Sequence, residues 1–90
     1  MSNTLTIYNF IKTAIKEITE GENPVITMQS NLVYDLKFDS LDTIKLIVLV
    51  EDHFKIKVND HFIEHLDTVE AIVKLTESLI EKTQQNENGN

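Results

Sequence analysis

Three clusters of side chains in this sequence carry groups capable of chemistry. The first is Ser40, within Asp39-Ser40-Leu41-Asp42, placed between a residue suited to capping a helix and the apolar run that begins at Ile44. A hydroxyl in the first turn of a helix lies near free backbone amides and the positive end of the helix dipole, so a phosphate esterified to it is favoured electrostatically. Asp39 and Ser40 are also ordinary helix-start residues, and one tripeptide does not choose between these readings. The second cluster, His61-Phe62-Ile63-Glu64-His65, fits H-x-x-E-H, in which two imidazoles four residues apart can face one metal ion. The segment follows a turn in a chain of 90 residues, too small for a protease cleft, and no third ligand is apparent, so these histidines read as solvated. The third is Asp35, Asp39 and Asp42, which fall short of a calcium loop because Lys37 occupies a ligand position and no Gly follows at the turn. These carboxylates hold a divalent ion loosely at most, and no metal site is expected.

The composition narrows the partners. Fifteen acidic residues against eight basic ones give a formal charge of −7, and every basic residue is Lys. Without the planar fork of Arg, bidentate contact with phosphates or base edges is lost, and an acidic chain repels a polyanion, so nucleic-acid binding is excluded. The acidic excess steers the chain towards partners with basic surfaces, an attraction that fades with salt. There is no Cys, so neither a disulfide nor a thiolate metal site is possible and a small core must hold by packing alone. Hydrophobic residues at 41% and charged ones at 26% are globular proportions, and the length suits one small domain. No apolar run approaches a membrane span, and MSNTLTIYNF lacks the basic start and small-residue cleavage site of a secretory signal. A soluble, cytoplasmic protein is expected.

The elements that must position these groups follow from periodicity. Between Thr4 and Glu20, Leu5, Tyr8, Ile11, Ile15 and Ile18 recur at steps of three and four, with Ile7, Phe10 and Ala14 widening the stripe; this predicts an amphipathic helix stopped by Gly21 and Pro24. Residues 21–38 keep no period yet carry Val25, Ile26, Met28, Leu32, Val33, Tyr34, Leu36 and Phe38, so this long first loop is expected to pack. A second helix starts at Asp39, with Asp42 adding negative charge to its first turn, and runs to about Phe54. At about 100° per residue, Leu46, Ile47, Val50 and Phe54 share one arc, the core stripe. Leu41, Ile44 and Val48 form another on the side of Ser40, bordered by Lys45, Glu51 and Asp52. That second arc is either a docking surface or a further buried side of the bundle. Lys55 to Asn59 alternates as a short extended link, and Asn59 or Asp60 caps a short turn of helix through Leu66. Asp67 and Glu70 have capping-box spacing before a last helix with Val69, Ile72, Val73, Thr76, Leu79 and Ile80 on one face. The expected fold is all-α: a small four-helix bundle of three longer helices and one short, with a domain over 1–83 and a disordered polar tail over 84–90.

The stretch Asp35-Leu36-Lys37-Phe38-Asp39-Ser40-Leu41-Asp42-Thr43 resembles the signature of the acyl carrier protein family, in which Asp-Ser-Leu opens the second helix. Asn31 and Leu32 in the first loop, Val50-Glu51-Asp52-His53-Phe54 at the end of that helix, and Leu66-Asp67-Thr68-Val69 before the last one extend the resemblance over about residues 5 to 82. It implies a stand-alone carrier, not an enzyme, with Ser40 as the covalent attachment point of a 4′-phosphopantetheine arm and Asp39 and Leu41 as motif flanks. A phosphopantetheinyl transferase would deliver the arm from coenzyme A. Its terminal thiol would hold acyl intermediates as thioesters, supplying the sulfur the chain lacks, and shuttle them between enzymes of fatty-acid or polyketide-like biosynthesis. Acyl-loading and acyl-processing enzymes would dock basic patches on a monomeric carrier at Asp39, Leu41, Asp42, Ile44, Val48, Glu51 and Asp52, through fast, weak, salt-sensitive contacts. Some members slip the acyl chain between the helices, which here would involve Leu46, Ile47, Val50, Phe54, Ile63 and Leu75. Four departures bear on the partner set: Lys37 where the family usually has Gly, Phe38 in place of a small residue, Lys45 where a docking Glu is common, and Asn59 in place of a frequent Pro. They point to a specialised carrier at least as readily as to the housekeeping one. A peptidyl or aminoacyl carrier, or an acidic interaction module never modified at Ser40, are the alternatives.

Overall fold

A computed structural model describes residues 3–20, 22 and 24–88, with side chains as far as residue 83. Four helices follow one another: α1 (Thr4–Ile18), α2 (Ser40–Phe54), α3 (Asp60–Ile63) and α4 (Val69–Asn88), with no strand among the described residues. This is the all-α bundle of three longer helices and one short. Gly21, the expected stop signal of α1, lies outside the described residues; α1 ends earlier, at Ile18, with Thr19 as its cap, whose N–H donates to Ile15 O. The expected tail over 84–90 lies beyond the described side chains, and the α4 backbone is helical as far as Asn88.

One face of each long helix goes inward. α1 packs on both α4 and α2, and the core collects Ile7, Ile11, Ala14 and Ile15 from α1, Leu46, Ile47 and Val50 from α2, and Val69, Ile72 and Val73 from α4. Each fully buried aliphatic side chain stabilises the bundle by about 1.5–3 kcal/mol. Thr76 is buried as well, and its hydroxyl is satisfied by donating to Ile72 O at 2.8 Å. Leu5, expected in the α1 stripe, is instead exposed. At 100° per residue it lies about 160° from Ile7 and about 120° from Ile11, so a face centred on those two turns it outward.

The first loop packs, as its apolar content predicts: Ile26, Leu32, Leu36 and Phe38 are buried, whereas Val25, Val33 and Tyr34 face outward. It also closes the start of α4. Val69 N–H donates to Ser30 O (3.1 Å) and Glu70 N–H to Met28 O (2.9 Å), while Leu32 N–H returns to Asp67 O (2.9 Å). Ala71 N–H is taken by the Thr68 hydroxyl at 3.2 Å. The expected capping box of Asp67 and Glu70 therefore does not form. Loop carbonyls and Thr68 already occupy the free amides of the first turn, and Glu70 faces Lys74 at 4.0 Å. In the link after α2, Ile56 and Val58 are buried between exposed Lys55, Lys57 and Asn59, the expected alternation.

Candidate functional site

The start of α2 is built by two local devices. Upstream, Asn31 organises the turn over 31–36: its side chain accepts from the N–H groups of Val33 and Tyr34, both at 2.9 Å, while its own N–H donates to Asp35 Oδ2 at 2.7 Å. Asp35 is thus engaged within the turn. The turn ends at Lys37, which has φ 59°, in the left-handed region. Phe38 N–H then returns to Leu32 O at 2.8 Å, and the Phe38 ring enters the core. This sequence of turn, left-handed residue and anchor delivers Asp39 extended and ready to cap (φ −99°, ψ −177°). That backbone conformation penalises a Cβ, which accounts for the Gly usual here in the resembling family and which Lys37 has to bear.

At the helix start a reciprocal capping box forms, more than the cap and first-turn charge expected there. Asp42 N–H donates to Asp39 Oδ1 at 2.9 Å and Asp39 N–H to Asp42 Oδ2 at 3.2 Å. The signal was present in the D-x-x-D spacing, with Asp standing for the usual Glu. The amides of Ser40 and Leu41 remain without a protein acceptor among the described residues, next to an exposed Ser40 hydroxyl that makes no hydrogen bond there either. A serine oxygen beside two uncommitted N–H groups at the positive end of a fifteen-residue helix is suited to carry an anion.

Beside Ser40 opens a cleft of about 680 Å³ between α2, α3 and the first loop. Val33, Phe38, Ile44, Ile63 and Leu66 form its apolar lining, and Asp39, Asp60 and Glu64 its rim. Val33, Leu66 and the two α3 carboxylates were not legible as neighbours of Ser40, because they come from segments far apart in sequence. Of the residues considered for an opening between helices, Leu46, Ile47 and Val50 are fully enclosed, and Phe54, Ile63 and Leu75 are half-buried.

The second arc of α2 faces outward. Leu41, Ile44 and Val48 are 61%, 46% and 53% exposed, so this arc is not a further buried side of the bundle. A shallower groove of about 490 Å³ continues this face towards the end of α1, lined by Glu17, Ile18, Glu20, Lys45 and Leu49 together with Ile44 and Val48. The carboxylates around it differ in their commitments. Asp39 and Asp42 belong to the capping box, and Glu51 Oε2 accepts from Val58 N–H at 2.7 Å. Glu51 O also receives the N–H groups of Lys55 and Ile56, closing α2 around left-handed Lys55 (φ 57°). Asp52 is exposed and has no such partner among the described residues. His61 and His65 are exposed at α3, and no three metal-ligating side chains converge among the described residues.

The family model described as phosphopantetheine attachment site covers residues 9–76. The chain is similar to an acyl carrier protein of Coprothermobacter proteolyticus, 36% identical over 72 residues that cover 80% of this chain and 88% of that protein. It is also similar to an acyl carrier protein of Campylobacter lari, 29% identical over 75 residues that cover 83% of this chain and 97% of that one.

Proposed function

The chain belongs to the acyl carrier protein family, whose prosthetic group is 4′-phosphopantetheine and whose members carry acyl groups rather than catalyse, and from that premise we propose that Ser40 is the residue that bears the arm. The observation that carries this reading is the exposed, uncommitted hydroxyl at the first position of α2, beside the unused amides of Ser40 and Leu41. With a transferase as catalyst and proton acceptor, the serine oxygen there attacks the phosphopantetheine-side phosphorus of the coenzyme A pyrophosphate, forming the phosphodiester as the P–O bond breaks and adenosine 3′,5′-bisphosphate leaves, and the helix start stabilises the resulting anion. Asp39 holds that start in place and Leu41 marks the edge of the docking face. The arm supplies a terminal thiol for thioesters, the one sulfur nucleophile a chain without Cys can present. The cleft lined by Val33, Phe38, Ile44, Ile63 and Leu66 offers the proximal part of the arm, or the cargo, an apolar wall.

The cargo in this reading is an acyl intermediate of fatty-acid or polyketide-like biosynthesis in the cytoplasm, with a specialised partner set supported by Lys37, Phe38 and Lys45. Partner enzymes meet Leu41, Ile44 and Val48 with basic residues opposite Asp39, Asp42, Glu51 and Asp52. The test is intact mass after incubation with coenzyme A and a broad-specificity phosphopantetheinyl transferase, with Ser40→Ala alongside. One arm is expected on the parent and none on the variant. No gain in mass removes the carrier reading, and an equal gain in Ser40→Ala places the site elsewhere.

A further inference from the structure

We propose that His61 and His65 form a two-imidazole site for a zinc-like divalent cation on the short helix that walls the cleft beside Ser40. α3 covers Asp60–Ile63, the backbone stays right-handed at Glu64 (φ −64°, ψ −20°), and His65 N–H donates to Phe62 O at 3.0 Å, so the chain keeps turning past the helix and holds residues 61 and 65 close together. Their ring centroids are 5.5 Å apart with the planes at 71°, and both side chains are exposed. An ion held ~2.0–2.1 Å from one nitrogen of each ring at a tetrahedral angle sets the two centroids about 5 Å apart. The observed separation therefore already matches, and rotation about exposed side-chain bonds is enough to aim a nitrogen of each ring at one point. Asp60 and Glu64, likewise four residues apart and exposed, border the pair and add a negative field that favours a dication.

Imidazole pairs select zinc, copper or nickel over the oxygen-preferring magnesium and calcium, which sets the chemical class of the ligand. Because no three ligand side chains converge among the described residues, the ion keeps water in its remaining positions, and the site is open and of moderate affinity. The third histidine, His53, stacks on Phe10 with centroids 4.1 Å apart and serves as an internal control. Binding has a structural consequence. α3 contains no buried residue, so an ion that links His61 within it to His65, two residues past its end, stiffens the segment supplying Asp60, Ile63 and Glu64 to the cleft. The site does not depend on loading of Ser40.

The experiment titrates zinc chloride into the untagged full chain at neutral pH, followed by calorimetry and by the histidine side-chain resonances. One equivalent is expected to bind and shift His61 and His65 while leaving His53 unmoved, with an excess of magnesium failing to displace it. His61→Ala and His65→Ala are each expected to weaken binding by about tenfold or more, with circular dichroism showing that both variants remain helical. Absence of binding at millimolar zinc overturns the proposal, and so does undiminished affinity in the double variant, which would assign the ion to carboxylates or the chain terminus.

Discussion

Single residues at the start of α2 divide into those that build it and the one left free. Ser40 makes no hydrogen bond to the protein among the described residues. Ser40→Ala is therefore expected to leave unfolding within about 0.5 kcal/mol of the parent while abolishing loading, as thermal melts and intact mass would show. Asp39→Ala removes the acceptor of Asp42 N–H while the N–H of residue 39 can still donate to Asp42 Oδ2, and is expected to cost about 0.5–2 kcal/mol in denaturant unfolding. Lys37 behaves oppositely. A side chain in the left-handed region costs about 1–2 kcal/mol, whereas Gly there gives back about 0.5–1 kcal/mol through the flexibility of its unfolded chain. Lys37→Gly should accordingly raise the melting temperature modestly, while a β-branched residue at the same position should lower it. The Asp-Ser-Leu-Asp string was readable from residue types alone. The reciprocal answer of Asp42 to Asp39 was signalled as well, by the D-x-x-D spacing, although only its charge was expected to matter.

At the scale of elements, the segment from the end of α2 to α3 depends on Glu51. Its carboxylate caps Val58 N–H and its carbonyl receives two more amides, so the side chain that the family resemblance offers to partners is also a fastener of the fold. Glu51→Ala is expected to destabilise by about 1.5–3 kcal/mol and to speed amide exchange at Ile56 and Val58 before the rest of the chain. Charge reversal at Glu51 or Asp42 therefore mixes docking with folding. Val48→Ser and Asp52→Lys touch neither device and isolate the proposed docking face. Asn59, where the family resemblance has Pro, accepts from His61 N–H at 2.9 Å and caps α3 with a side chain that Pro cannot supply. Helix positions were legible because apolar residues recur at helical spacing. Their ends were less so: Leu5 and the boxed start imagined at Asp67 both failed where packing partners from elsewhere in the chain chose the face or took the amides.

Across the whole molecule, charge is the dominant surface property. The net charge is −7, and the described residues contain one ion pair, Lys74 with Glu70, both exposed. Most carboxylates are thus left to repel each other and to attract basic partners. Salt should act with opposite signs on the two consequences. Raising it from about 0.02 M to about 0.3 M is expected to raise the melting temperature, by screening self-repulsion, and to raise the KM of partner enzymes for the loaded carrier. Asp52→Lys should raise that KM at low salt and lose its effect at high salt. A KM independent of salt would remove electrostatic docking on α2. The core is far less forgiving than the surface: Ile11→Ala, at the meeting of α1 with α2 and α4, should cost about 2–5 kcal/mol in chemical unfolding.

The sequence by itself determined the helices, the capped serine and the acidic character, because each depends on residues within a turn or two of one another. Periodicity, capping and charge are local sums, and they survive without knowledge of the fold. Only the tertiary structure decided which apolar arc of α2 is left outside, which carboxylates are already engaged, and that Val33, Ile63 and Leu66 gather beside Ser40. It also decided that loop carbonyls at Met28 and Ser30 close α4. Those outcomes depend on which distant segments meet, and solvent exposure is a property of that meeting rather than of any residue's own neighbours in the chain.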